Sequence, residues 1–145
     1  MAASPASVLL DTCAVIWLAN GDRLRQQAAD AIVTAGLLDG IFVSPVSAWE
    51  VGLLARPRGS QRMSVQFLPD PKTWFTRVMG GPGIRPAPFT PDIAIDASHL
   101  PGDVHGDPAD LMIVATAPNL GVPVVTRDAR ILAYSRRGHV AAIRC

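Results

Sequence analysis

The chain has 145 residues, a length that fits one compact domain with its own hydrophobic core. Hydrophobic residues make up 49% of it and charged residues 17%, a composition that excludes an intrinsically disordered chain. The 13 basic residues nearly balance the 12 acidic ones, so bulk charge does not indicate a nucleic-acid-binding protein.

Cysteine usage and the N-terminal sequence indicate the compartment. The two cysteines, Cys13 and Cys145, are too few for a disulfide scaffold. The N-terminus has no basic signal-peptide segment, and its apolar stretch, interrupted by Asp11 and Thr12, is far shorter than the about 20 apolar residues that cross a bilayer. We therefore expect a soluble cytoplasmic protein with reduced thiols and no membrane partner.

Short apolar runs alternate with segments of helical periodicity along the first two thirds of the chain. The predicted strands there are Val8–Leu10, Ile41–Val43 and, as an edge strand limited by two prolines, Ile84–Pro88. The predicted helices are Cys13–Ala19, Arg23–Ala35 with Asp22 as its cap, Ser44–Arg56, Lys72–Met79 and Asp92–His99.

The last third continues the alternation. A helix predicted over Asp107–Asn119 is apolar nearly all round and should be central. The strand Val122–Val125, a helix from Asp128 to Tyr134 and the strand Val140–Ile143 follow. Short apolar strands without a polar face are typical of a parallel sheet covered on both sides. The predicted fold class is α/β, one domain over residues 1–145 with a short central parallel sheet flanked by helices.

Five acidic residues lie where such a fold places its functional sites, beyond the carboxyl ends of the strands. Asp11 directly follows the first strand, and Asp128 follows a later strand by two residues. Glu50 lies early in the helix after the second strand, and Asp107 and Asp110 lie in the first turn of the apolar helix.

Each acid also has a structural explanation. Asp11 and Asp128 can cap the helices that follow them, and the segments Ser47–Glu50 and Asp107–Asp110 match the capping-box pattern. Acids that converge on one sheet edge repel one another, however, and such a cluster usually collects around a cation. Oxygen ligands without His or Cys favour Mg²⁺ or Mn²⁺ over zinc.

Four short motifs follow one another along the chain: Leu9-Leu10-Asp11-Thr12, Ser47-Ala48-Trp49-Glu50, Asp107-Pro108-Ala109-Asp110 with the apolar run after it, and Thr126-Arg127-Asp128. Their order and separation resemble the PIN-domain nucleases and, within them, the VapC toxins of bacterial toxin–antitoxin pairs. The resemblance extends over almost the whole chain. A hydrophobic run ending in Asp is common, whereas the ordered set of four motifs is specific.

The resemblance implies a Mg²⁺- or Mn²⁺-dependent endoribonuclease that cleaves structured RNA (tRNA or rRNA) by metal-activated water. Its four site acids would be Asp11, Glu50, Asp110 and Asp128, with Asp107 as a neighbour that acts first as an N-cap. Three of them, Asp11, Asp110 and Asp128, would hold the ion. Glu50 would bind it through water or orient the attacking water.

Other residues are expected to support this chemistry. The hydroxyls of Thr12 and Thr126 either anchor the carboxylates or cap local turns. Arg127 and Arg130 would lie at the rim of the acidic site and contact RNA. The resemblance also implies a homodimer and a small antitoxin that plugs the site with an Arg or an amphipathic helix.

The sequence departs from the family pattern at two places. Leu111 stands where an Arg usually follows the second Asp of the third motif, and the loop after the Glu50 helix offers Arg56, Arg58 and Arg62 in place of a Lys. Both departures concern the substrate more than the chemistry. Trp17 and Trp49 either stack on RNA bases or belong to the core or an interface. 

Several alternative functions remain to be separated. A housekeeping PIN nuclease without an antitoxin has the same site, and an adjacent upstream gene for a small DNA-binding protein would distinguish the two. A non-catalytic PIN-like binding module would have lost some of the four acids. A haloacid-dehalogenase-type phosphatase requires a second Asp where Cys13 stands, and a receiver domain requires a late Lys, whereas Lys72 lies mid-chain.

Overall fold

The computed structural model describes residues 4–57, 65–102, 104 and 106–145, so Arg58 and Arg62 lie outside the described residues. The strands are β1 (Ser7–Leu10), β2 (Gly40–Val43), β3 (Ile84–Pro86), β4 (Val124–Thr126) and β5 (Ala142–Arg144). The helices are α1 (Thr12–Asn20), α2 (Gln26–Leu37), α3 (Pro45–Ala55), α4 (Pro71–Met79), α5 (Pro91–Ser98), α6 (Pro108–Leu120) and α7 (Ala129–Arg136). No helix in this described part is long and apolar enough to cross a membrane.

The five strands form one sheet in the order β3-β2-β1-β4-β5, and every pair is parallel. The predicted α/β class is therefore confirmed. Strand β3 lies at an edge, as its prolines predict, because a proline cannot donate to a neighbouring strand. Strands β2 and β3 lie on one side of β1, and β4 and β5 lie on the other. The strand order therefore reverses between β1 and β4.

The sheet separates two hydrophobic cores. Val8 and Leu10 point to one face, where they pack with residues of α1 and α2, while Leu9 points to the other face. There it packs with α6 and α7, whose Ile113 and Ile131 are almost fully buried. Six of the 13 residues of α6 are buried, which agrees with the central position predicted from its apolar surface.

Helix α2 begins at Gln26 and not at Arg23, so the prediction that Asp22 caps it is wrong. Gly21 takes a left-handed conformation with φ 72°, and the backbone N–H of Asp22 donates to the Trp17 carbonyl at 2.9 Å. Asp22 therefore belongs to the C-terminal end of α1, in a common helix-ending arrangement.

The register aligns the carboxyl ends of the three central strands. The last residue of β1 pairs with Val43 of β2 and with Val125 of β4. The residues that come next, Asp11, Ser44 and Thr126, therefore emerge at one level of the sheet edge. This edge includes the point where the strand order reverses, which is where open α/β sheets bind ligands.

Candidate functional site

Asp11 joins β1 to α1 and is 5% exposed. Its Oδ1 accepts the backbone N–H of Ala14 at 2.8 Å and so caps α1, while its Oδ2 accepts the hydroxyl of Thr126. Burial raises the pKa of Asp11, and these two hydrogen bonds lower it in part. The helix-capping explanation holds for Asp11, but only one of its two oxygens is used for capping.

Glu50 is held by the hydroxyl group of Thr12 rather than by a capping box. Helix α3 begins at Pro45 with Ser44 as its cap, so the predicted box over Ser47–Glu50 is wrong. The Thr12 hydroxyl donates to the Glu50 carboxylate and also lies 2.9 Å from the hydroxyl of Ser47. These contacts fix the start of α1 to α3.

Burial is the main cause that raises the pKa of Glu50. The hydrogen bond from Thr12 lowers this pKa in part, whereas the negative charges of Asp107 and Asp11 raise it further. The half-buried Glu50 carboxylate therefore lies in a field of like charges.

The first turn of α6 holds the next two acids. Asp107 is exposed and caps the helix through its Oδ1, which accepts a backbone N–H at 3.1 Å. Asp110 is half-buried, and no described residue donates a hydrogen bond to its carboxylate, so the predicted capping box is only half formed. Burial, followed by the charges of Asp107, Asp128, Glu50 and Asp11, raises the pKa of Asp110 to about 7.

Asp128 caps α7, where its Oδ1 accepts the backbone N–H groups of Arg130 at 2.8 Å and Ile131 at 3.1 Å. Its own N–H donates to the Thr126 hydroxyl at 3.0 Å. Because that hydroxyl also donates to Asp11, one buried threonine connects the two acids at the ends of β1 and β4.

Carboxylate oxygens of Glu50, Asp107 and Asp110 all lie within 4.8 Å of one another, and we call these three residues the acid cluster. The sequence instead predicts Asp110 together with Asp11 and Asp128 as the metal ligands. In the structure these two lie beside the acid cluster, and their charges raise the pKa of Asp110. Residues three apart on a helix are neighbours, so the spacing of Asp107 and Asp110 could have indicated their pairing.

Cys13 is a neighbour of the site that sequence reasoning missed. The residue is exposed in the first turn of α1. Partial desolvation and the charges of Asp11, Glu50, Asp110 and Asp128 raise the pKa of its thiol to about 11. The charges of all four acids predicted from the sequence thus raise the pKa of this one thiol.

The two predicted RNA-contacting arginines have different surroundings. Arg127 donates to the carbonyl of Cys145 at 2.8 Å, and its guanidinium lies 3.9 Å from the ring centre of Trp17. Trp17 itself packs against the core. Arg130 is exposed and lines a small cavity together with Asp128 and Asp110, whereas the charge of Arg127 acts on Asp11 and lowers its pKa in part.

The sequence of the chain matches a known protein family and a named relative. The model of the PIN domain family matches residues 8–137. Ribonuclease VapC22 of Mycobacterium tuberculosis is 33% identical over 129 residues, which cover 88% of this chain and 92% of that protein.

Two solved structures share the fold. VapBC2 of Rickettsia felis, bound to a DNA fragment from its promoter, superposes with a TM-score of 0.64 at 12% identity, over 95% of this chain and 98% of that one. VapBC-5 of Mycobacterium tuberculosis, a member of the VapBC toxin–antitoxin family, superposes with a TM-score of 0.59 at 20% identity, over 97% and 100%. With the sequence match, the chain belongs to the PIN-domain nucleases and, within them, to the VapC type.

Proposed function

We propose that this protein is a metal-dependent endoribonuclease, the toxin of a type II toxin–antitoxin pair, and that it cleaves structured RNA such as tRNA or rRNA. The acid cluster carries this proposal, because three carboxylates share one corner and Asp110 has no hydrogen-bond donor among the described residues. The relative with 33% identity is named a ribonuclease, which supports RNA as the substrate.

The donor set fits a hard divalent cation. All ligand atoms are carboxylate oxygens, and their mutual distances of up to 4.8 Å are close to the about 4.2 Å that two Mg²⁺–oxygen bonds reach. Glu50, Asp107 and Asp110 would hold Mg²⁺ or Mn²⁺, with Asp11 and Asp128 contributing charge. When bound, such an ion lowers the pKa of water and neutralises charge on a phosphate.

The protein's own contribution is to fix the carboxylates before the substrate arrives. Thr12 orients Glu50, which would both hold the ion and orient the attacking water, and Thr126 holds Asp11 in place. Asp107 and Asp128 are fixed as helix caps. Because these groups are already ordered, the site has little reorganisation to do during the reaction.

An apolar groove of about 710 Å³ supports an antitoxin partner. It runs between α1, α2 and α4 and is lined by residues that include Val15, Leu18, Ile32 and Trp74. Three large apolar side chains of its lining are more than half exposed and together form an apolar patch of the kind that marks protein-interaction sites: Val33, Leu37 and Leu68. An amphipathic helix of the antitoxin fits such a groove. Since α1 lines the groove and begins at the acids, a bound segment could extend into the site.

The family resemblance further supports a homodimer and a cytoplasmic location as parts of this proposal. An adjacent upstream gene for a small DNA-binding protein would separate the toxin from a housekeeping PIN nuclease.

The experiment is incubation of the purified protein with total RNA in Mg²⁺, Mn²⁺ or EDTA, followed by mapping of the cut ends. We expect cleavage at a few loops of structured RNA, only with metal, and none by Asp110→Asn. Intact RNA with every metal, alongside an active control nuclease, would overturn the proposal.

A further inference from the structure

A second concave surface lies directly beside the acid cluster, and we call it the slot. It has a volume of about 250 Å³ and is lined by six uncharged residues: Pro45, Val46, Trp49, Phe89, Pro108 and Met112. They come from α3, from α6 and from the loop before α5.

The slot and the acid cluster are built on the same two helices. Trp49 directly precedes Glu50 on α3, and Pro108 directly follows Asp107 at the start of α6. Residues four apart on a helix share a face, so Val46 of the slot lies one turn from Glu50, and the slot borders the acid cluster there.

Trp49 is 56% exposed, so most of its ring is not used in the core. A ligand that covers this ring removes a large apolar area from water, and its burial is favourable. Its indole ring offers a flat π surface to a planar partner.

The chemistry of the lining selects the ligand. No residue among the six carries a charge that would hold a phosphate, and the neighbouring carboxylates repel anions. The volume is below the roughly 300–1,000 Å³ of pockets that enclose a drug-sized ligand, so the slot suits a single ring system. A neutral, planar group attached close to a phosphate fits both the slot and its neighbour.

We propose that the slot binds one unpaired nucleobase of the RNA, stacked on Trp49, and thereby positions an adjacent phosphate at the acid cluster. This rests on the proposed ribonuclease function. Stacking on an aromatic side chain requires a base that is free of its helix, so the slot restricts cleavage to loops and single strands. It contributes little base preference, because every base has a π face and the indole N–H of Trp49 is the one N–H or O–H group that the six lining side chains offer to base edges.

A nucleobase is favoured over a second protein chain by size. A standard protein interface involves about 20–30 residues a side, many more than the six that form the slot. Contact between copies of this chain is the competing outcome of the test.

The test compares Trp49→Ala with Trp49→Phe, which keeps an aromatic ring, and with Ile95→Ala, which truncates a side chain that is 60% exposed on α5 and outside the slot. The substrate is an RNA hairpin cut by the wild type, made also with an abasic nucleotide at each loop position in turn. We expect Trp49→Ala to lower kcat/KM about 5- to 150-fold, mainly through KM, and the other two variants to stay within a few fold of the wild type.

An abasic nucleotide at one loop position should lower kcat/KM of the wild type by a similar factor. The same nucleotide should not lower kcat/KM of Trp49→Ala any further, because the two changes remove the same contact. Cleavage by Trp49→Ala equal to the wild type, or an abasic loss that both proteins share, would overturn the proposal. So would dissociation of a dimer by Trp49→Ala in sedimentation, which would assign the slot to contact between copies.

Binding gives a readout that does not depend on cleavage. The Kd for a short single-stranded RNA is measured in the Asp110→Asn background with and without Trp49→Ala. We expect Trp49→Ala to raise this Kd about 5- to 150-fold, the same factor as for kcat/KM. If the wild type cuts no RNA but this difference is found, the proposed function fails and the slot assignment stands; equal affinities overturn the slot.

Discussion

Asp110→Asn tests whether the acids are crowded without a cation. The pKa of Asp110 rises from its ordinary 3.8 to about 7 in the folded protein. The folded state therefore binds a proton more tightly than the unfolded state, and folding stability falls as pH rises from about 4 to about 7. Above pH 7 the full cost of the charge is present, and the neutral Asn removes it.

The magnitude follows from the pKa shift. A rise of about three units corresponds to roughly 4 kcal/mol as an upper limit. Since Asp110 is half-exposed, solvent screening reduces this to about 1–2 kcal/mol. Removing a negative charge from the first turn of α6 costs about 0.3–1 kcal/mol of helix–dipole interaction. We expect Asp110→Asn to stabilise the metal-free protein by about 1 kcal/mol, or roughly 2–4 °C in Tm.

The assay is thermal unfolding of both proteins in EDTA at pH 5 and pH 8, then with Mg²⁺ at pH 8. The variant should melt higher at pH 8, and the difference should shrink at pH 5, where the Asp110 carboxyl of the wild type is largely protonated. With Mg²⁺ the order should reverse, since the wild type gains about 2.7 kcal/mol at a hundredfold excess over Kd. A variant that is less stable at pH 8 in EDTA, or a difference independent of pH, would refute the crowding argument.

Three further predictions concern neighbouring groups. Asp107→Asn should keep the cap of α6, because Asn caps as well as Asp, and should leave the Tm in EDTA unchanged or raise it, because it removes a charge that crowds Asp110. It should weaken Mg²⁺ binding in a calorimetric titration, and wild-type affinity would limit Asp107 to capping. Thr12→Val removes the hydrogen bond that lowers the pKa of Glu50, so it should raise this pKa and move the acidic limb of the pH–rate profile to higher pH. An acidic limb that does not move would mean that Glu50 does not determine it. Thr126→Val should lower the free energy of unfolding in urea by about 1–3 kcal/mol, because it leaves the buried Asp11 oxygen without its hydrogen-bond donor. An unchanged urea midpoint would contradict this.

The fold could be predicted from the sequence where burial determines the residue type. The buried strands and the central α6 show as apolar runs, and Pro86 indicates the edge position of β3. The start of α2 could not be read in this way. Asp22 is a good capping residue, but Gly21 before it takes a left-handed conformation. The backbone N–H of Asp22 therefore donates to the Trp17 carbonyl and helps to end the preceding helix.

The site could be predicted in part, because the topology of a parallel sheet brings the ends of its central strands together. That rule identifies Asp11 and Asp128 from their places after the strands. It does not show which oxygens come closest. The contact of Thr12 with Glu50 joins residues 38 apart in the chain and depends on how α1 packs on α3. The exposure of Trp49 is also a property of packing that its apolar neighbours in the sequence conceal.

We propose that the acids at the carboxyl end of the sheet support hydrolysis of RNA by water with a divalent cation. Cleavage of a mapped RNA hairpin in ¹⁸O-labelled water, with mass analysis of the ends, tests it most directly. We predict cleavage in Mg²⁺ or Mn²⁺ only, with one solvent oxygen in the terminal phosphate of each product pair and no activity for Asp110→Asn. Cleavage that persists in EDTA, or ends that carry a 2′,3′-cyclic phosphate, would contradict the account.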